Sequence, residues 1–260
     1  MDNLPRVSII TPSFNQAKFL ERTMLSVLGQ DYPNLEYIVI DAASSDGSLE
    51  IIRKYADRLA YWVSEPDRGQ TDAINKGFNH ASGEILAWIN SDDTYAPSAI
   101  RQAVDYLQQN PEIGLVYGDM LFIDENDQPI GKFKAALTDL NHLRRGYVHV
   151  PQPAAFFRST LWQQVGPLDA SFYFAMDYDL WVRLAQKTQF AYCKGEVWAN
   201  FRLHAGGKTI TADERCWPEM LRVHYRDGGS VLSLMVAKYW ARKLAAPFIN
   251  WRRRKLFDHS

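Results

Sequence analysis

Short apolar runs alternate with segments of helical periodicity through the first half of this chain. In "RVSIITPSFN" residues 7–10 form an apolar run that stops in a polar turn at 11–15, the pattern of a buried strand. Residues 18–28 follow with Phe19, Leu20, Met24, Val27 and Leu28 at helical spacing. "LEYIVIDAASSDGS" repeats the plan: residues 37–40 are aromatic or aliphatic, Asp41 closes the run, and Asp46-Gly47 marks a turn. Ser48 is placed to cap a helix bearing Leu49, Ile51, Ile52 and Tyr55. A short strand is expected at 60–63, then a helix through Ala73, Ile74 and Phe78 that stops near Gly83. The apolar run of "EILAWINSDD" is the next strand, followed by a helix over 99–107 and one or two strands in "GLVYGDMLFID".

Strands alternating with helices predict an α/β fold, a Rossmann-like, mostly parallel sheet flanked by helices. Such sheets bind ligands outside the carboxyl ends of their strands. Asp41 and the pair Asp92-Asp93 each end a strand, so residues 51 positions apart are expected at one crevice. Beyond Gly131 the pattern loosens. "HVPQPAAFF" is extended and punctuated by proline, "DYDLWVRLAQK" has a helical apolar face, and "VWANFRLH" reads as a strand ending at His204.

The 260 residues are 47% apolar and 23% charged, enough for a sizeable core and unlike a disordered chain. A net charge of −1 argues against general nucleic-acid binding. Two cysteines, Cys193 and Cys216, match no metal spacing and are too few for a disulfide scaffold, so reduced thiols are expected. The first residues lack the basic-then-apolar order of a signal peptide, and no run approaches the ~18 apolar residues of a membrane span. No GxGxxG follows the first strand, which disfavours a dinucleotide fold.

Two adjacent carboxylates at the end of a core strand repel one another unless a cation or donors compensate. Mg2+ or Mn2+ bound to a diphosphate supplies that compensation, since these ions take one or two carboxylates together with substrate phosphates. The plain alternative is that "NSDDTYAPSAI" is a turn and a helix start, where Asp and Ser are common.

Six segments now stand in order over residues 7–209: "VSIITPSFN", "EYIVIDAASSDGS", "GQTDAINKGFNHASGEILAWINSDD", "QPAAFFRSTLWQQVGPLD", "AMDYDLWVRLA" and "RLHAGGKT". On these motifs the chain resembles the family 2 glycosyltransferases of GT-A fold, closest in flavour to bacterial enzymes that build O-antigen and other surface polysaccharides. The resemblance implies an inverting transfer from a nucleoside-diphosphate sugar, UDP-linked by family frequency, to a hydroxyl of a glycan or lipid-linked acceptor. It implies a base pocket lined by Thr11 and Pro12, mainly through backbone, with Asp41 accepting from the nucleobase. It places Asp92 near the ribose, Asp93 as the direct metal ligand, His204 as a further metal or diphosphate contact, and Asp177 as general base. The family often writes two acids after the second strand; here the second is Ala42.

Each assignment has a plainer competitor. Asp177 and Asp179 suit a helix N-terminus, which favours the charged carboxylate and so weakens a base. A lone His after a strand is commonly structural. Asp72 lies one turn from Lys76 and either forms an exposed ion pair or edges the donor pocket. Trp162 and Trp181 read as core, and Phe172, Tyr173 and Phe174 as core or a sugar platform. A nucleotidyltransferase, or a nucleotide-sugar-binding module without catalysis, are the rival functions.

Residues 1–227 are expected to form the transferase domain and 228–260 a basic amphipathic segment. Ser230 is placed to cap its helix. From Val236 onward there are seven Lys or Arg and one acid, leaving −7 for the rest of the chain. Trp240, Trp251 and the basic run at 252–255 suit an anionic membrane surface, which predicts a cytoplasmic enzyme peripheral to the inner face of the cell membrane. A helix docked on the enzyme with a solvated basic end is the alternative.

Overall fold

Strand β1 (Val7–Ser13) is the axis of the fold. Period-2 alternation sends Val7 and Ile9 to one face of the sheet and Ile10 to the other. In this computed structural model, which describes residues 4–208 and 213–257, β1 lies between β2 (Leu35–Asp41) and β4 (Ile85–Trp88), parallel to both. β3 (Tyr61–Ser64) extends the parallel set beyond β2. On the other side, β8 (Ala155–Arg158) runs antiparallel between β4 and β6 (Ile113–Ile123). β9 (Gln189–Arg202) is parallel to β6; β5 (Thr94–Tyr95) and β7 (Pro129–Lys132) are short antiparallel additions. The α/β reading holds, with three antiparallel strands inserted into the expected parallel sheet.

Helices cover both faces. α1 (Ala17–Leu28), α2 (Ser48–Lys54) and α4 (Ala99–Gln109) pack Leu20, Met24, Ile52 and Val104 against Ile9, Tyr37, Val39 and Ile89. α3 (Gln70–His80), α6 (Ser159–Val165) and α7 (Met176–Ala185) pack Ile74, Phe78, Leu161 and Trp181 against Ile10, Ile38, Trp88 and Phe157. Trp181 stacks on Trp88 at 5.8 Å and Trp162 tilts on Phe78 at 4.5 Å, so both tryptophans are core side chains. Burying a large apolar side chain contributes about 1.5–3 kcal/mol.

Local chemistry explains the departures from the sequence reading. Ser48 is the first helical residue of α2, not its cap. Gly47, at φ +100°, is the cap, while Asp46 accepts from Ser48 N (3.1 Å) and from Ala17 N (2.9 Å). Likewise Ser233, not Ser230, accepts from Val236 N at the start of α9 (Leu234–Phe257). α5 (Leu140–Arg144) and α8 (Asp213–Arg226) form without having been expected; Pro218 sits inside α8 and masks its helical pattern. Thr209 of the sixth motif and 258–260 lie outside the described residues, as do the side chains expected at Trp251 and 252–255.

Candidate active site

The carboxyl ends of the parallel strands converge through the end of β1. Ala42 N donates to Ser13 O and Ile89 N to Ile10 O, both at 2.9 Å. The chain leaving β2 and the chain leaving β4 therefore both cling to β1, which puts Asp41 and the segment 90–93 on its two sides.

Asp41 is fully buried. Its Oδ2 accepts from Ser44 N (2.9 Å) and Ser64 Oγ (2.6 Å), and its Oδ1 from Ser44 Oγ (2.5 Å). An ionised carboxylate has about four acceptor sites, and three are taken. In this geometry Asp41 shapes the loop 42–47, where Ala43 adopts the left-handed φ of +55°, and does not open onto the cleft as expected. Thr11 turns its hydroxyl into the core, 3.0 Å from the Tyr37 hydroxyl, and Pro12 is buried beside it. Either contacts a ligand through backbone or not at all. Asp72 takes the ion-pair option: it pairs with Arg68 at 2.9 Å and Lys76 at 3.8 Å.

The two adjacent aspartates face opposite ways. Asp93 is wholly enclosed, with Oδ1 accepting from Arg202 N (3.0 Å) and Oδ2 from Asn90 Nδ2 (3.2 Å). Burial pushes its carboxyl well above the usual carboxylate range, and the Asp92 charge adds to that rise. Asp92 is part-exposed, and its Oδ2 lies 3.0 Å from His204 Nε2 across 112 residues of sequence. The pair expected to hold the metal ion and face the ribose therefore divides by exposure in this structure: Asp92 lies with His204 on the open side of the turn, and Asp93 is enclosed between Asn90 and the Arg202 backbone.

Arg202, unmarked in the sequence reading, holds this corner together. It is buried, and its guanidinium donates to Asp92 O (2.8 Å), Asp124 O (2.9 Å) and Asp127 Oδ1 (2.6 Å). Its guanidinium carbon sits 4.9 Å from the Phe19 ring, and Phe19 packs on the His204 ring at 4.7 Å.

Asp177 lies on the first turn of α7, half-buried. Burial raises its carboxyl pKa; Tyr178 N, which donates to Oδ1 at 2.7 Å, and the charge of Lys208 pull the other way. A polar line runs to the opposite corner from Lys208, whose charge attracts Asp177. Lys208 Nζ donates to Gln70 Oε1 (3.1 Å), Gln70 Nε2 to Asn90 Oδ1 (2.7 Å), and Asn90 Nδ2 reaches Asp93. Gln152 fixes this line from below by donating to Trp88 O at 2.7 Å. Desolvation brings Lys208 down to about 8, against the attraction of Asp177 and Glu219. Lys208 also sits 3.9 Å from the Tyr173 ring centroid. Tyr173 is exposed while Phe172 is core, so the aromatic group divides between surface and interior.

The loop entering α7 is set by Glu219 of α8, which accepts from Tyr173 N (2.9 Å), Phe174 N (2.8 Å) and Ala175 N (2.9 Å). A carboxylate at these otherwise unpartnered N–H groups is a strong cap. Asn90, Gln70, Gln152, Arg202 and Glu219 all escaped the sequence reading. The available signal for the first three was a polar residue at or beside an element end that faces the sheet's ligand edge.

The fold is of GT-A type, and solved structures share it. The chain aligns with the crystal structure of Staphylococcus aureus TarS 1-349 in complex with UDP-GlcNAc at a TM-score of 0.69 and 17% identity, over 84% of this chain and 65% of that one. It aligns with the mannosyltransferase PcManGT from Pyrobaculum calidifontis, in complex with GDP-Man and Mn2+, at 0.66 and 22%, over 91% and 70%. The family described as Glycosyl transferase family 2 matches residues 8–164. An uncharacterized glycosyltransferase of Mycobacterium tuberculosis is 35% identical over 191 residues, 71% of each chain. One from Rickettsia prowazekii is 29% identical over 216 residues, 80% of this chain and 67% of that one. The chain belongs to glycosyltransferase family 2.

Proposed function

We propose that this glycosyltransferase moves a sugar from a nucleoside-diphosphate sugar, UDP-linked by preference, to a hydroxyl of a glycan or lipid-linked acceptor in surface-polysaccharide synthesis, with inversion. The observation that supports this is the hydrogen-bonded line from Lys208 through Gln70 and Asn90 to Asp93, beside the Asp92–His204 pair, with Asp177 near enough to Lys208 for their charges to attract.

Among the described residues no three His, Cys, Asp or Glu side chains gather as a self-sufficient metal site. Asp92 and His204 supply one oxygen and one nitrogen donor side by side, which fits a divalent ion that draws its other ligands from a diphosphate. Asp92 and His204 would hold Mn2+ or Mg2+, which when bound would supply positive charge against the departing diphosphate. Asp177 takes the proton of the acceptor hydroxyl as its oxygen bonds to the anomeric carbon, while the bond from that carbon to the diphosphate breaks and its electron pair leaves with the phosphate. Attack opposite the leaving group inverts the centre. Lys208 contributes positive charge beside the diphosphate path, and Asp41 keeps the base-side loop in shape.

Incubation with a panel of sugar nucleotides, with and without Mn2+, tests the reading by release of free nucleoside diphosphate. Asp92→Ala and His204→Ala should each abolish the metal dependence of donor binding, whereas Asp93→Asn should retain it. Binding without release would favour the non-catalytic module, and release of pyrophosphate the nucleotidyltransferase. Loss of metal dependence in Asp93→Asn but not in Asp92→Ala would restore the original assignment of the pair.

A further inference from the structure

α9 is buried at its first turn and exposed at its second. Met235 is wholly buried and Val236 nearly so; Met235 Sδ lies 3.8 Å from the Tyr178 hydroxyl, which donates to Leu143 O at 2.8 Å. Lys238 Nζ donates to Arg145 O at 3.0 Å and lies over the Tyr147 ring. Residues 240–244 are exposed, although Arg242 still reaches α8, its guanidinium carbon 5.8 Å from the Trp217 ring. Trp240 is 52% exposed and Leu244 79%, one turn apart, with Leu232 at 93% in the turn that precedes the helix. Apolar side chains of this size, left in solvent together, mark an interaction surface.

Its charge identifies the partner. No acid occurs from Val231 to Phe257, whereas Lys238, Arg242, Lys243 and the run at 252–255 are all cationic. Lys243 Nζ sits 5.0 Å from the Trp240 ring, so cation and aromatic share one spot. The positive field reaches the neighbouring body: burial lowers the pKa of His149, and His142, Lys134 and Lys238 push it the same way. Apolar side chains ringed by cations match hydrocarbon beneath anionic headgroups. No described helix is long and apolar enough to cross a membrane, so contact would be in the plane of the surface.

We infer that the exposed stretch of α9 bearing Trp240, Arg242, Lys243 and Leu244, together with Leu232 before the helix, docks the enzyme on an anionic lipid bilayer. The anchor of α9 touches Tyr178, the residue after Asp177. If the transferase reading holds, docking brings a lipid-linked acceptor to the side of the enzyme where the base stands.

The test is co-sedimentation of the full chain with vesicles of phosphatidylcholine alone or mixed with phosphatidylglycerol, at low and high salt. Binding is expected only to the mixed vesicles and should weaken with salt. Each cation near the surface contributes about fivefold, so Arg242→Glu with Lys243→Glu should reduce binding roughly 25-fold or more. Trp240→Ser with Leu244→Ser should reduce it on the order of tenfold or more. Neither pair includes buried Met235 or Val236, and an unchanged melting temperature will establish that each variant folds. Equal binding to both vesicle types, undiminished binding of the charge-reversed variant, or no binding at all would overturn the inference. So would a dimer, seen by light scattering, that Trp240→Ser with Leu244→Ser dissociates in a chain that ignores vesicles. Vesicle binding needs neither donor nor turnover, so its failure leaves the transferase reading standing, and the reverse.

Discussion

Replacing Asp177 by Asn separates a catalytic carboxylate from a helix cap by the sign of a stability change. Asn keeps the shape and the acceptor for Tyr178 N, which the wild-type Oδ1 meets at 2.7 Å. It removes only the charge. If Asp177 were chiefly a helix-terminal stabiliser, losing that charge would cost about 0.3–1 kcal/mol through the helix dipole. In this structure burial outweighs the favourable backbone contacts and Lys208, because the carboxyl pKa is raised. A raised folded-state pKa means that the native state holds the proton more tightly than the unfolded chain. Its stabilising contribution is complete below the unfolded value and is lost as pH rises through the folded one. At neutral pH the ionised wild type therefore bears a penalty that Asn lacks. Asp177→Asn should therefore be more stable than the wild type at neutral pH, and the gain should shrink toward zero in acid, where the wild-type carboxyl is protonated as well. For a chain of this size each kcal/mol shifts the melting temperature by about 2–4 °C. Turnover should fall about 100- to 10,000-fold, with nucleotide affinity nearly unchanged. Thermal melts across pH, run beside donor-turnover assays, read both quantities. A lower melting temperature at neutral pH, or a stability difference that does not depend on pH, would refute the reasoning.

The scaffold was legible because its signals are local. The apolar runs of β1, β2 and β4 and the helical faces of α1, α3, α4 and α7 lie within a few residues of where they were read. Adjacent acids at a strand end likewise announced the ligand edge. What local pattern could not say is which of two neighbours faces the cleft. Asp92 and Asp93 are chemically identical, and their division is decided by Arg202 and His204, 109 to 112 residues later, one supplying an N–H to the buried member and the other an imidazole to the exposed one. Asp41 was placed at the correct edge, but its enclosure depends on Ser44 and Ser64, which only loop geometry and the β2–β3 pairing bring to it. Glu219 was invisible for the same reason: nothing around Pro218 in the sequence points to three N–H groups more than forty residues upstream. Beyond Gly131 the pattern was blurred because β8 enters antiparallel and is too short for alternation to show.

Three further substitutions probe the supports of the site. Ala43→Gly should raise stability by up to about 1 kcal/mol, since a side chain at φ +55° is strained by about 1–2 kcal/mol and glycine gives back about 0.5–1 through its freer unfolded state; a lower melting temperature would show that the Ala43 methyl contributes packing. Glu219→Ala leaves three N–H groups without their acceptor, so a loss of about 1–3 kcal/mol is expected, together with a fall in kcat larger than any change in donor KM, because the loop 173–175 leads directly to Asp177; an unchanged kcat would remove Glu219 from the positioning of the base. Arg202→Met tests the corner itself. It deletes a buried cation, breaks the pair with Asp127, and leaves the carbonyls of Asp92 and Asp124 without their donor. Asp127 is 44% exposed and keeps Arg22, so the lost pair itself costs little; two carbonyls left without their donor cost about 1–3 kcal/mol each, a large part of the 5–15 kcal/mol that typically separates folded from unfolded. Asp93 keeps its backbone N–H from residue 202 but loses the nearby positive charge, so its carboxyl is driven further toward the protonated form. Urea unfolding should therefore show both the stability loss and, at concentrations where the variant is still folded, a weakened metal response at Asp92 and His204. A loss below about 1 kcal/mol would mean that Arg202 is held by the corner and does not hold it.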